Sequence, residues 1–392
     1  MQILGRLRLS IIFSIILIIS ILLLFNFSAC EPKERIIKIG NQSVLTGENK
    51  VWGQDQLISM SIAASEISPA KVGGFDYKVK LVTKDDEGDP EKAFLVAQEM
   101  VEQNVSAVVG STFNGTTKVS IPIYEEYNIP AITAHAQGED LSNIGENFFR
   151  VIMNNKQKVE NIASFLESQL KPKKLILIDD RNEYSANLVD YLNEILQARN
   201  LNAFKRYSID FSSEDLGVIV DNLIIDEPDV IFFCGGYTQL ASLITKAREK
   251  DLKAKFVTEE LGMDEQISVL ADSKYLEGLI AVIPEPPSIA KYTENEKAIS
   301  FWHKYTDFSK KMDKEDIIQN PSPYAPYCYD AVYLIINAMK NANSILPEEY
   351  IDNLSQISYD GLVGHIEFDS NGERVDPPST AFVYTNGAWA RY

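Results

Sequence analysis

"VSAVVGSTFNGTTKVSIPIYEEYNIPAITAH", Val105 to His135, carries the pattern that decides the fold. An apolar run, Ala107-Val108-Val109, stops at Gly110, and a loop of small polar residues follows. "TTKVSIPIYEEY" then has helical character, and "IPAITAH" is a second apolar run. Short apolar strands separated by amphipathic helices imply parallel βαβ units. Gly110 to Thr117 reads G-x-x-x-x-G-T-T, one lysine short of the phosphate-binding G-x-x-x-x-G-K-[ST]. A helix starting near Gly115 or Thr116 would aim free N–H groups and the positive end of its dipole at this loop. The hydroxyls of Thr116 and Thr117 would add donors. Without the lysine the loop suits a single carboxylate better than a nucleotide triphosphate. The competing reading is an N-capped loop with no ligand.

The alternation extends both ways from this unit. Before it come a strand, "RIIKIGNQS", a helix, "QDQLISMSIAASEI", a strand, "YKVKLVTKDD", and a helix opening on proline, "PEKAFLVAQEMVEQ". After it comes "FFRVIM", and the pattern then restarts. Val159, Ile162, Ala163, Leu166 and Leu170 share one helix face. "KKLILIDD", a helix from about Tyr184 to Ala198, "PDVIFFCGG", "YTQLASLITKAREKDL" and "AKFVTEE" continue the alternation. The fold class is α/β, with two successive lobes. From Pro284 the chain changes: a proline-rich turn, helical segments at 291–311 and 323–342, then β-rich sequence with a hairpin at Asn371-Gly372 and the stretch "STAFVYTNGAW".

A length of 392 residues fits two domains at roughly 150 residues each. With 37 basic and 56 acidic residues the net charge is −19, and no basic block is present, which excludes nucleic acid as a partner. Residues 1–29 have the layout of a secretory signal: Arg6 and Arg8, an apolar run from Ile11 to Phe27, and small residues before Cys30. The ending fits cleavage before Cys30 and acylation of that cysteine; an uncleaved anchor is the alternative. Cleavage takes away two arginines and no acid, leaving a charge of −21. Cys234 and Cys328 lie in apolar stretches and read as buried thiols, with a disulfide as the alternative. No zinc, hydrolase or cofactor motif is present, so no cofactor or metal is expected.

In open α/β sheets, ligands bind beyond the carboxyl ends of the strands. Phe113 and Asn114 sit there in the first loop. Asp85-Asp86 ends a strand and reads as a cap for the next helix, or else as an acid/base pair. Tyr184 and Tyr237 end strands of the second lobe, and Gly235-Gly236 would let backbone approach a ligand. Glu259-Glu260 stands where an ammonium could pair, or is a solvated surface pair. Trp52, before the first helix, would either cover a ligand or staple its loop.

The stretches "IKIGNQSVLTGENKVWG", "LVTKDDEGDPEKA", "VSAVVGSTFNGTT", "YNIPAITAHA", "DDRNEYS", "DVIFFCGGY", "YDAVYLI" and "GHIEFDSNGE", in this order, resemble the leucine/isoleucine/valine-binding protein family. These are the type I periplasmic binding proteins that feed ABC importers, and the resemblance covers residues 36–392. It implies two doubly wound parallel-sheet lobes joined by three hinge crossovers near residues 152–156, 281–285 and 361–364. Residues 1–29 would be a lipoprotein signal peptide and 30–35 a tether lipidated at Cys30. Lobe one would take 36–153 and 286–361, and lobe two 154–285 and 362–392. Members close over an amino acid. The resemblance gives Phe113, Asn114, His135, Ala136 and Gln137 to the α-carboxylate and α-ammonium, partly by backbone. Tyr184, Tyr237 and Glu260 (or Glu259) would arrive from lobe two, and Trp52 would cover the ligand side chain. The family usually has serine at Asn114 and small residues with a threonine at His135-Ala136-Gln137, a difference that points away from leucine itself.

The reading is therefore a monomeric, lipid-anchored, extracytoplasmic protein, not an enzyme. It would bind an amino acid, branched-chain-type or related, and deliver it to an ABC permease. The alternatives are a ligand-sensing co-receptor of the same fold and an α/β enzyme using Asp85/Asp86 or Glu259/Glu260.

Overall fold

The computed structural model describes residues 34–201, 203–210, 213–263, 266–285, 296–311 and 321–392. The expected signal peptide and Cys30 lie outside them, as do residues 291–295 of one expected helix. Ile37–Tyr392 is one compact unit.

Its first sheet runs β1 (Ile36–Ser43), β2 (Ala70–Val72), β3 (Phe75–Asp85), β4 (Ala107–Val109), β5 (Ala131–Thr133) and β6 (Phe148–Arg150) in chain order. In space the order is β2-β3-β1-β4-β5-β6. β1, β4, β5 and β6 are parallel, with Ile39 beside Ala107 and Ala131 beside Phe148. The connecting helices are α1 (Lys50–Ile67), α2 (Pro90–Glu102) and α3 (Asn114–Glu126). Asp89 caps α2, accepting from the amides of Glu91 at 2.8 Å and Lys92 at 3.1 Å. α2 and α3 cover one face, where Met100 and Tyr124 pack on Val108.

The second sheet begins with β7 (Leu175–Asp179), β8 (Lys205–Ser208), β9 (Val230–Cys234), β10 (Lys255–Thr258) and β11 (Ile280–Pro284), all parallel. Every residue of β7, β9 and β11 is buried, as expected for strands covered on both faces. α4 (Asn155–Phe165) and α5 (Glu183–Ala198) lie on one face through Val159, Ile162, Leu188 and Leu192. α6 (Ser213–Asp226) and α7 (Tyr237–Glu249) lie on the other through Val220, Leu223, Leu240 and Ile244.

The third region returns to the first sheet. α8 (Glu296–Lys311) sets Phe301 and Tyr305 against Ile58 and Ile62 of α1. α9 (Ala325–Ala342) fills the face opposite α2 and α3: Leu334, Ile335 and Met339 share a core with Ile37, Ile39 and Met60. α10 (Pro347–Ser355) leads to the ribbon of β12 (Tyr359–Gly361) and β13 (Gly364–Ile366). β14 (Ser379–Thr385) and β15 (Ala388–Arg391) then add antiparallel strands beside β11. The chain thus passes between the sheets three times, and the two doubly wound lobes implied by the sequence are present.

The turn at Asn371-Gly372 forms as expected, closed by the Asp369 amide donating to the Glu373 carbonyl at 2.8 Å. Two further hairpins were not foreseen. Gly73-Gly74 turns β2 into β3, and Asn386-Gly387 splits "STAFVYTNGAW" into β14 and β15, pairing Thr385 with Ala388.

Buried charges tie the three passages together. Arg374 donates to the carbonyls of Val151 at 3.3 Å, and of Val363 and His365 at 2.7 Å. Asp330 of α9 accepts from the amides of Leu362 at 3.0 Å and Val363 at 2.8 Å, and the Tyr327 hydroxyl donates to the Glu285 carbonyl at 2.8 Å. Burial raises Asp330 from 3.8 to about 7. The folded state therefore holds this proton over a pH range in which the unfolded chain releases it. The associated stability is complete below 3.8 and is lost as pH rises through about 7. Asp330→Asn removes this titration. Denaturant unfolding across that window is expected to show the wild type losing roughly 2–4 kcal/mol relative to the variant as pH rises. Parallel pH profiles for the two proteins would contradict the assignment.

Candidate functional site

The carboxyl ends of β1, β4 and β5 open onto one cavity of about 240 Å³. It is lined from the first lobe by Trp52, Thr112, Phe113, Asn114, His135, Ala136, Gln137 and Tyr324, and from the second by Tyr184 and Leu261. Seven of the nine residues expected at a site are here; Tyr237 and Glu260 are not in the lining.

Gly110 bends the chain out of β4. Its φ is +131°, and a Cβ there would lie 2.1 Å from the Gln42 carbonyl oxygen. The Ser111 hydroxyl donates to buried Asp86, whose other oxygen accepts from the Gly88 amide at 3.0 Å. Asp85 accepts from the Leu45 amide at 2.7 Å and the Thr46 hydroxyl at 2.6 Å. This pair fastens loops, while Asp89 does the capping. The threonine hydroxyls are also occupied: Thr116 donates to the Phe113 carbonyl at 3.0 Å and Thr117 to the Ser111 carbonyl at 3.2 Å. They shape the loop and are not free donors. α3 starts at Asn114, one residue earlier than expected.

Asn114 joins two loops, its Oδ1 accepting from the amides of Gln137 at 2.9 Å and Gly138 at 3.0 Å. The Thr133 hydroxyl oxygen accepts from the amides of His135 at 3.3 Å and Ala136 at 2.9 Å. The backbone N–H groups of 135–137 are thus already paired, which leaves the side chains of that stretch to face the cavity. His135 Nε2 and Gln137 Oε1 are buried without a hydrogen-bond partner among the described residues. Burial holds His135 down to about 3, so its imidazole is neutral. The ring stacks on Tyr324 at 4.9 Å, and Tyr324 meets the edge of Trp52 at 5.6 Å. Trp52 lies in the first turn of α1, not before it. Gly53 permits that placement: a Cβ there would sit 1.8 Å from the Val44 carbonyl oxygen.

The loop is held from behind by Arg150, which is 0 % exposed. Its Nε reaches Glu373 Oε2 at 2.9 Å, Nη2 reaches the Gly138 carbonyl at 2.7 Å, and Nη1 donates to the Ala136 carbonyl.

Beneath Tyr184 lies a cluster that the sequence reading did not assemble. Lys158 of α4 is 1 % exposed, pairs with Glu260 and donates to the Tyr184 hydroxyl at 2.7 Å. Burial, reinforced by neighbouring Glu260, raises Glu259 well above the carboxylate range. Burial pushes Glu260 the same way, but the Lys158 ammonium outweighs it and holds Glu260 below its usual value. The alternative reading, a solvated surface pair, is therefore overturned. Tyr237 points elsewhere: it packs against the second-lobe core, with its hydroxyl 3.4 Å from Gln266 Oε1. Cys234 and Cys328 are free and buried, as expected. Lys158 did carry a signal, being a lysine four residues before Ile162 on the apolar stripe of α4. Tyr324 carried none.

The periplasmic binding protein family profile matches residues 36–388. The leucine-specific-binding protein of Salmonella typhimurium is 24% identical over 339 residues, 86% of this chain and 88% of that protein. The isoleucine-bound branched-chain amino acid substrate-binding protein LivJ of Streptococcus pneumoniae has 21% identity and a TM-score of 0.70, covering 91% of this chain and 99% of that one. A putative branched-chain amino acid ABC transporter protein of Rhodospirillum rubrum has 17% identity and a TM-score of 0.78, covering 91% and 100%.

Replacing Arg150 with methionine strands the Glu373 carboxylate and two carbonyls. Denaturant unfolding is expected to show a loss of about 3–5 kcal/mol. Adding Glu373→Gln should recover part of it; an equal loss in the double variant would show that the pair is not what holds the loop.

Proposed function

This chain belongs to the periplasmic binding protein family, and we propose that it is the extracytoplasmic solute-binding component of an ABC importer. It takes up a small solute, an amino acid or a related carboxylate, between its two lobes by hinge closure and presents it to a permease. The observation that carries this reading is the cavity lined from both lobes, with aromatic walls and a few converging polar groups. Binding fits better than catalysis: Asp85 and Asp86 hold loops, Glu260 is paired with Lys158, and the thiols are buried. The relatives, which by name bind amino acids, support the solute class.

In this reading lobe one comprises residues 36–153 and 286–361, and lobe two residues 154–285 and 362–392. Residues 1–29 direct export, and Cys30 carries the lipid that keeps the protein, as a monomer, at the membrane surface. Phe113, Asn114, His135, Gln137 and Tyr184 contact the solute, and Trp52 covers it.

Calorimetric titration of residues 31–392 with the twenty amino acids and a set of small carboxylates and amides tests the solute class; silence across the set would sink it. Any solute that binds is expected to change tryptophan fluorescence chiefly through Trp52, because Trp389 is buried against Tyr384 in the second-lobe core and Trp302 lies on α8. Trp52→Phe should remove most of that signal, and a signal left intact would place the solute elsewhere.

A further inference from the structure

Directly behind Tyr184 of the second wall lies a buried ammonium. Lys158 sits beside Glu260 in the place where a ligand's amino group was expected, and both side chains are at most 5% exposed. Glu260 Oε2 has no other N–H or O–H donor among the described residues. Burial raises Glu259, while the Lys158 ammonium holds Glu260 low, so the charged pair of the cluster is Lys158 with Glu260. An incoming ammonium would have to share Glu260 with a buried cation of its own sign.

The opposite wall favours an anion. α3 is 13 residues long and opens on the cavity at Asn114. The first-turn N–H groups of a helix have no acceptor within it and lie at the positive end of its dipole. Beside them is the unpartnered His135 Nε2, on a side chain at least nine-tenths buried. Trp52, Phe113, Tyr324 and Leu261 supply apolar wall between the two ends.

We infer that the solute is a small monocarboxylate that lacks an amino group, with its carboxylate at the N-terminus of α3 and an apolar body against the aromatic wall, and that Lys158 permanently fills the ammonium position. This deepens the proposed function and rests on it.

The test measures binding of three matched pairs to the wild-type chain (residues 31–392): isocaproate with leucine, isovalerate with valine, and hydrocinnamate with phenylalanine. The acid without the amine is expected to bind at least about tenfold more tightly in each pair that binds, since the amino acid strands its ammonium. Lys158→Met vacates Glu260 and should shift the ratio toward the amino acid by about tenfold or more. If that variant fails to fold, Lys158→Met with Glu260→Gln removes both charges and should keep the preference for the acid lacking the amine. Amino acids binding the wild type as tightly as their partners would overturn the inference and leave the proposed function standing. Silence from all six probes would overturn both.

Discussion

Arg150 is a guanidinium taken wholly out of water, and such a group is tolerable only where acceptors surround it. Those acceptors are the Glu373 carboxylate and the carbonyls of Ala136 and Gly138. One side chain thereby fixes the end of β6, the loop that lines the cavity, and the turn through which the chain makes its last passage. Arg374 does the same for the backbone of the first and last passages. In the proposed hinge closure, movement would be confined to a few residues on either side of these clamps. The cavity loop is carried as part of the first lobe's rigid body.

The cavity sits in a chain of net charge −19, yet its own groups are close to neutral. Neutral His135 adds nothing, and Lys158 balances Glu260. An anionic solute must approach against the field of the whole molecule, a penalty that salt screens beyond about 8 Å at physiological ionic strength. Near the site the local donors of α3 take over. For the proposed monocarboxylate, long-range charge would therefore affect the rate of capture and the local groups its selectivity.

Much of this was legible in the sequence because burial imposes periodicity. β7 and β9 are covered on both faces and appear as continuous apolar runs, and the helices that follow them show a single apolar stripe. Strand-end loops could be located for the same reason, which is why Asn114 and His135 to Gln137 were found. Side-chain direction was not legible. Tyr237 follows a strand and two glycines, as a cleft residue would, but its ring turns to the core. Adjacent Glu259 and Glu260 look equivalent in sequence, and only the approach of Lys158, 102 positions away, sets their carboxyls apart, Glu259 raised and Glu260 held low. The threonines after Gly115 looked like ligand donors because sequence does not reveal that nearby carbonyls already accept from them.

The central claim is that the ammonium position is occupied from within, so that binding leaves the Lys158–Glu260 pair and its protons undisturbed. Calorimetry of isocaproate binding near neutral pH, repeated in buffers of different ionisation enthalpy, measures this directly. The account predicts the same binding enthalpy in each buffer after dilution correction, meaning no net proton exchange. Release of about one proton per isocaproate bound would contradict it, because a group of the cluster would then be ionising on binding.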